Sequence, residues 1–510
     1  MPSVLEPNLN CCPVAKANRF ALLVDGSNYY AALADAISQA RHTVALVGWD
    51  LDSRAQLGPG GGSGNLMPPL REFFPAVADA NPGLNIYILT WDFPLLLASV
   101  RDPQLVWGKD PFKHPRVHLK FDSTHPTGAS HHQKIVVIDD CLAFAGGMDL
   151  AGGRWDTPEH RADDVRRPGE DGPYPPYHDV QAMVDGEAAR SLSAIVRDRW
   201  RRATGESIPN PVETRELWPA GVKPDFVDVS LGISRTDVDA DANRGCMEIE
   251  RLHLDLIEAA RESIYIENQY LTSATIVDAL CRRLEADDGP EVLIVLPLKN
   301  SGWLEEHTIE VLRFRCIRRL RQADRFGRLR ICYPAIPGLD EDEAVGVHSK
   351  VLVADDRLFR VGSSNLTNRS MRLDTECDLT IEAASAEEQL GITALRNRLL
   401  AEHLGMSAEA VASCLAKDAS LVRLVDSRRA SPRSLRELPV EDRLSELIVE
   451  EEIVDPSEPI TPGLVIEALA TTAADHPFKR LLPFALFCVA MTAVAVACWR
   501  SRPSAPTTSR

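Results

Sequence analysis

Two stretches decide the reading of this chain: HHQKIVVIDD at 131–140 and VHSKVLVADD at 347–356. Each carries the spacing HxKxxxxD, as His132, Lys134 and Asp139 in the first and as His348, Lys350 and Asp355 in the second. A glycine stands fourteen residues after each histidine, opening Gly146-Gly147 in one copy and Gly362-Ser363 in the other. Lysine occurs only ten times in the chain, so this spacing found twice in matching places marks a duplication. IVVI and VLVA read as short buried strands, and a period of two puts each lysine on the same side as its histidine. Asp139 and Asp355 lie an odd number of positions from their histidines, in Asp-Asp turns, and are expected to fix those turns as structural residues of the motif.

The same order of elements surrounds both motifs. AALADAISQA (31–40) reads as a helix leading into the strand TVALVGWDL (43–51), and LHLDLIEAA (252–260) leads into SIYIENQYL (263–271). NIYILTW (85–91) matches EVLIVLPL (291–298), and RVHLKF (116–121) matches RLRICY (328–333). Alternating helices and short apolar strands predict an α/β fold of two similar α/β/α lobes related by a pseudo-twofold, followed by a C-terminal hydrophobic helix. Pro209, Pro211, Pro219 and Pro224 place the junction between the halves, giving lobes at 20–215 and 216–405 behind a short loose arm at 1–19.

Beyond residue 405 the periodic pattern stops, and 406–478 reads as an acidic linker. Ser434 to Pro459 holds nine acids against two arginines. Residues 481–499 are nineteen consecutive uncharged, mostly apolar positions, long enough as a helix to span about one hydrocarbon core. The segment 479–502 is therefore expected to hold the protein at a membrane, with 503–510 as a tail. Met1 to Lys16 contains no apolar run of signal length, so the portion ahead of the anchor is expected to be cytoplasmic. The run Gly58-Pro59-Gly60-Gly61-Gly62-Ser63-Gly64 lacks the closing Gly-Lys-Ser/Thr of a phosphate loop and reads as a mobile loop.

With 510 residues, 45% of them hydrophobic and 25% charged, the composition excludes both a polytopic membrane protein and one long disordered chain. The net charge of −18 should repel phosphates over the surface as a whole, which weighs against nucleic acid as a partner and requires any phosphate chemistry to be local. Eleven cysteines without a CxxC pair fit a reducing compartment, and Cys141 and Cys332, set in apolar runs, read as packing residues.

Two histidines and two lysines brought together across a pseudo-twofold suit a phosphodiester. A neutral imidazole can attack phosphorus while the other, protonated, donates to the leaving alkoxide, and the lysines neutralise the non-bridging oxygens. The scheme requires no metal and no cofactor.

At these residues the chain resembles the phospholipase D superfamily, whose mark is the duplicated HxKxxxxD motif. The resemblance runs over roughly residues 20 to 405 and takes in Gly153 to Pro158, Tyr177-His178-Asp179, Ile266 to Tyr270, Ser364-Asn365 and Asp374-Thr375-Glu376, which look like segments of phosphatidylcholine-type phospholipases D. It implies a two-lobed enzyme forming a phosphohistidine resolved by water or an alcohol. Carried over position by position, it makes His132 the nucleophile and His348 the general acid and base. Lys134, Lys350 and Asn365 become phosphate-binding, as does Asp149, which stands where Asn365 stands in the second half and makes the binding asymmetric, and Asp156 and Glu376 become the acids that orient the two histidines. For Glu267 and His178, shaping a headgroup pocket and structural hydrogen bonding are equally open.

The leading expectation is a phospholipase D acting on glycerophospholipids to give phosphatidic acid or a transphosphatidylated product. A cardiolipin synthase-like phosphatidyl transferase, a nuclease of the same superfamily and a catalytically silent membrane scaffold are the alternatives. The sequence leaves headgroup, calcium dependence, membrane orientation and oligomeric state open.

Overall fold

The run VAKANRFALLV alternates its side chains between two faces and forms the strand Val14–Val24, which lies at the middle of the molecule. The computed structural model describes residues 3–58, 67–92, 110–169, 172–212, 215–238, 245–299, 303–340, 343–440 and 454–461. Among these, sixteen strands form one mixed sheet. Val14–Val24 pairs antiparallel with Phe226–Val238, with Phe20 opposite Phe226, and this central pair joins the two halves.

From the centre outward the halves repeat each other. On one side follow Val180–Asp185, Leu142–Gly146, Ile135–Ile138, Thr43–Gly48, Asn85–Trp91 and Val117–Asp122. On the other follow Glu376–Glu382, Leu358–Gly362, Val351–Ala354, Ser263–Glu267, Glu291–Val295 and Leu329–Ala335, with Ser434–Glu437 added at the edge. The strand matches read from the sequence thus occupy equivalent places. The lobes do not have separate sheets, however, because the central strands are long enough to pair with each other and carry the ladder through.

Side-chain alternation builds layers on both faces. Val44, Leu46, Ile86 and Ile88 pack on the face covered by the helices Asp25–Ser38 and Leu70–Ala80. Ile264, Ile266, Val292 and Ile294 do the same in the second half, under Glu248–Ala259 and Ala274–Glu285. Ala45, Val47, Tyr265, Leu293 and Val295 point the other way into one core shared by both halves and closed by Gly186–Thr204 and Ala386–Leu404.

Two expected boundaries are corrected. Residues 1–19 are not a loose arm: Leu5, Asn10 and Cys11 are buried, Val4 N donates to Glu382, and the central strand starts at Val14. The expected linker at 406–478 begins too early, since Ala408–Lys417 and Leu421–Arg428 are helices, and Val425 and Leu435 lie in the shared core. Even within the acidic stretch Asp455 is buried, accepting from Thr272 Oγ1 and from the backbone of Asn368 and Arg369. Most of the glycine-rich run, the membrane segment 479–502 and the tail 503–510 lie outside the described residues. Among the described residues no helix is long and apolar enough to cross a membrane, and the nine cysteines have free thiols.

Candidate active site

Each motif forms the same hairpin. Ile135–Ile138 turns through Asp139-Asp140 into Leu142–Gly146, and Val351–Ala354 turns through Asp355-Asp356 into Leu358–Gly362. Asp139 and Asp355 hold left-handed backbone, φ 48° and 57°, a conformation that aspartate tolerates better than most residues. Their carboxylates accept from the amides of Arg41, His42 and Thr43 and from those of Arg261, Glu262 and Ser263. Each thereby fixes its turn to the start of the neighbouring strand, and neither is a partner of a motif histidine.

His132 and His348 sit in extended segments just ahead of their strands, and the backbone of each is held by the opposite half. His132 N donates to Thr375 O at 2.9 Å, and His348 N donates to His178 O at 2.8 Å. Side chains cross over in the same way. His132 Nδ1 meets both carboxylate oxygens of Glu376, at 2.9 and 3.0 Å, and His348 Nδ1 meets Asp179 Oδ2 at 2.7 Å. The first half's histidine thus takes its acid from the second half, and the reverse. With Nδ1 engaged on each ring, Nε2 is the atom left for a substrate.

Asp156 was expected, with Glu376, to orient the two histidines, and for Asp156 the structure corrects this. Asp156 Oδ2 instead meets His160 Nδ1 at 2.8 Å and accepts from Tyr177 N. The partner is Asp179, which the sequence reading quoted but gave no role. A signal for it was present: Asp179 stands two residues before Gln181, the partner of Gly146, and Glu376 stands two residues before Asp378, the partner of Gly362. At Gly147 any Cβ would lie 2.3 Å from Asp179 Oδ1, so the carboxylate takes the space that a larger residue would fill. At the equivalent position Ser363 donates to Glu376.

Both lysines are buried, with Lys134 3% and Lys350 0% exposed. Lys134 Nζ lies 3.0 Å from His132 O and 3.1 Å from Asp149 Oδ2. Asp149 Oδ1 also accepts from the amides of Trp49 and Asp50, and Lys134 and these donors hold its carboxyl below the usual range despite burial. Asp149 is therefore corrected from a phosphate ligand to the anion that holds Lys134, since an ionised carboxylate repels phosphate. Lys350 Nζ donates to His348 O and lies 3.3 Å from Gln269 Oε1, and burial pulls it down to about 7. In the second half Asn365, a neutral amide, occupies the place of Asp149. Its Oδ1 is buried and accepts no hydrogen bond among the described residues.

Burial, with the two lysines, holds both His132 and His348 well below the usual histidine range, so each imidazole is neutral before an anion arrives. Burial pushes Asp179 up to about 6 and Glu376 well above the usual carboxyl value, against the pull of Lys350 and Lys134. With its acid ionised, each ring donates Nδ1–H to the carboxylate and keeps its lone pair on Nε2. Sequence reasoning also missed the walls of the site. The Trp49 ring lies 6.2 Å from His132, and Tyr177 packs 5.5 Å from His348 beneath the Arg154 guanidinium. His178 and Glu267 are fully buried, and their ring and carboxylate are 2.9 Å apart. Of the two open readings, the structure favours internal hydrogen bonding.

The family model described as Phospholipase D matches residues 36–217, and the one described as Cardiolipin synthase, PLD-like domain matches residues 253–391. Phospholipase D A of Dictyostelium discoideum is 27% identical over 78% of this chain and 36% of its own length. Phospholipase D alpha 1 of Nicotiana tabacum is 24% identical over 73% of this chain and 63% of its own. The chain spans from about a third to just under two thirds of the length of these relatives. Among solved structures, phosphatidylserine synthase of Haemophilus influenzae Rd KW20 shares the fold, with a TM-score of 0.53 at 15% identity over 84% of this chain and 98% of that one.

Proposed function

The chain belongs to the phospholipase D superfamily, and from that premise we propose that it is a phospholipase D-type phosphodiesterase acting on glycerophospholipids. The observation that carries the reading is the crossed pairing, His132 with Glu376 and His348 with Asp179, flanked by two buried lysines. His132 Nε2 attacks phosphorus, and the bond from phosphorus to the headgroup oxygen breaks. His348 gives the departing alkoxide its proton, having gained it when the phosphate anion offset the charge of the lysines. Lys134, Lys350 and the Asn365 amide bind the non-bridging oxygens. The two ends of an Asn side chain are interchangeable in position, so its NH2 can turn toward an anion. In the second step His348 takes a proton from water or an alcohol, which displaces His132 and leaves phosphatidic acid or a new phosphodiester. No step uses a metal.

A second reading, phosphatidyl transfer to a glycerol-bearing lipid acceptor, is favoured by the description of the family model matched over 253–391. The apolar stretch 481–499 supports a membrane-associated protein. One assay separates the readings: phosphatidylcholine, phosphatidylethanolamine and phosphatidylglycerol vesicles with ethanol, using wild type and His132→Asn. Phosphatidylethanol from wild type alone supports the phospholipase. Cardiolipin from phosphatidylglycerol, without headgroup release from the other lipids, supports the transferase. Cleavage of single-stranded DNA with no lipid turnover would overturn both.

A further inference from the structure

Behind His348, on the far side of the Tyr177–Asp179 segment, four side chains that the phosphoryl chemistry does not use converge in the interior. They are Asp25, His160 and His178 from the first half and Glu402 from the second. We propose that these four bind one divalent transition-metal ion of the zinc type, which ties the halves together next to the catalytic histidines.

Geometry carries the assignment. His178 Nδ1 lies 2.8 Å from Glu402 Oε1 and 3.0 Å from Asp25 Oδ1, and His160 Nε2 lies 2.9 Å from Glu402 Oε1 and 3.7 Å from Asp25 Oδ2. A tetrahedral zinc with bonds of about 2.0 Å separates its ligand atoms by about 3.3 Å, and one atom from each of the four side chains lies within 4.8 Å of every other. Asp25 and His178 are 0% exposed and His160 is 1% exposed. Asp25 Oδ2 is buried with no hydrogen-bond partner among the described residues, so it keeps an unused acceptor facing the cluster. Two histidines with two carboxylates are a donor set suited to zinc and its neighbours rather than to calcium or magnesium.

The surroundings supply what such a centre needs. The ring nitrogen of each histidine that faces away from the cluster meets a buried carboxylate, His160 Nδ1 with Asp156 Oδ2 at 2.8 Å and His178 Nε2 with Glu267 Oε2 at 2.9 Å. Partners of this kind fix the orientation and raise the basicity of metal-binding histidines. Arg167 pairs with Asp156, and Arg433 lies in the field of Glu402, Asp25, Glu159 and Asp156.

The site touches the catalytic machinery through the backbone and through Glu267, whose Oε2 also accepts from Ser349 beside His348. Its test needs no lipid and no turnover, so its outcome is independent of the proposed activity. The full-length protein is stripped with a chelator, dialysed and titrated with Zn2+ and Co2+. One equivalent of each should bind, Co2+ with the visible bands of a four-coordinate site. Zn2+ at about a hundredfold excess over its Kd should raise Tm by about 3 °C. His160→Gln should lose the Co2+ bands, while His403→Gln, which alters a histidine outside the four, should keep them. No bound metal, no Co2+ bands and an unchanged Tm in wild type would overturn the proposal whatever the variants do. Loss of the bands in His403→Gln with retention in His160→Gln would overturn the choice of ligands.

Discussion

Each motif histidine is oriented by one carboxylate from the opposite half, so the account is most exposed to test at Asp179 and Glu376. Asp179→Asn or Glu376→Gln removes the group that holds Nδ1–H and allows the wrong tautomer, and kcat should fall about 10²- to 10⁴-fold with little change in KM. Steady-state kinetics with both variants checks this, and an unaffected Asp179→Asn would return the role to another acid. Lys350 gives a pH dependence of defined sign. Burial holds it at about 7, so it is charged below that pH and neutral above, and kcat/KM should decline as pH rises through about 7 in the free enzyme. Bound phosphate favours the charged form, so the decline in kcat should lie at higher pH. Lys350→Arg, which stays charged, should flatten the alkaline limb of kcat/KM even if its absolute value drops; a limb unchanged in the arginine variant would assign it elsewhere. The histidines and lysines were legible from spacing alone. The second acid was not, because Asp156 and Asp179 lie 23 residues apart in one loop-rich region of the first half, and only the folded positions of His160 and His348 select between them.

At the level of elements, the hairpins that carry the motifs are placed by their turns. Strand periodicity gave their positions correctly, whereas pattern failed where an element is short or polar. Ser434–Glu437 has only four residues, one of them Leu435, yet it extends the sheet beside Leu329–Ala335. Ala408–Lys417 buries a single residue, Val411, and so lacks the broad apolar stripe that announces a helix. Composition alone assigned both to a linker. Leu435→Asp distinguishes the two descriptions, because an unpaired charge placed at this fully buried position should cost about 3 kcal/mol or more and lower Tm by several degrees. A linker residue would tolerate it. Asp455→Ala is a milder case: three donors, Thr272 Oγ1 and the amides of Asn368 and Arg369, lose their acceptor, for an expected loss of about 1–3 kcal/mol by denaturant titration. No loss would mean that the acidic segment does not dock there in solution.

Across the whole molecule, duplication explains both what the sequence revealed and what it hid. Each half supplies a histidine and a lysine, and each orients the other's histidine, so neither half contains a complete site. A net charge of −18 is compatible with phosphate chemistry because the two buried lysines and Arg154 set the field within the site. The central strands Val14–Val24 and Phe226–Val238 make the halves one sheet, a link that no periodicity within either half could show. The account's central claim is that His132 is the atom-transfer partner of phosphorus and His348 its proton partner. The most direct measurement is denaturing quench of the enzyme during turnover of a phospholipid, followed by peptide mapping for the phosphatidyl adduct. The account predicts the adduct on the peptide bearing His132, present in wild type and absent in His132→Asn. An adduct on the peptide bearing His348 instead, or turnover with no histidine adduct at any quench time, would contradict it.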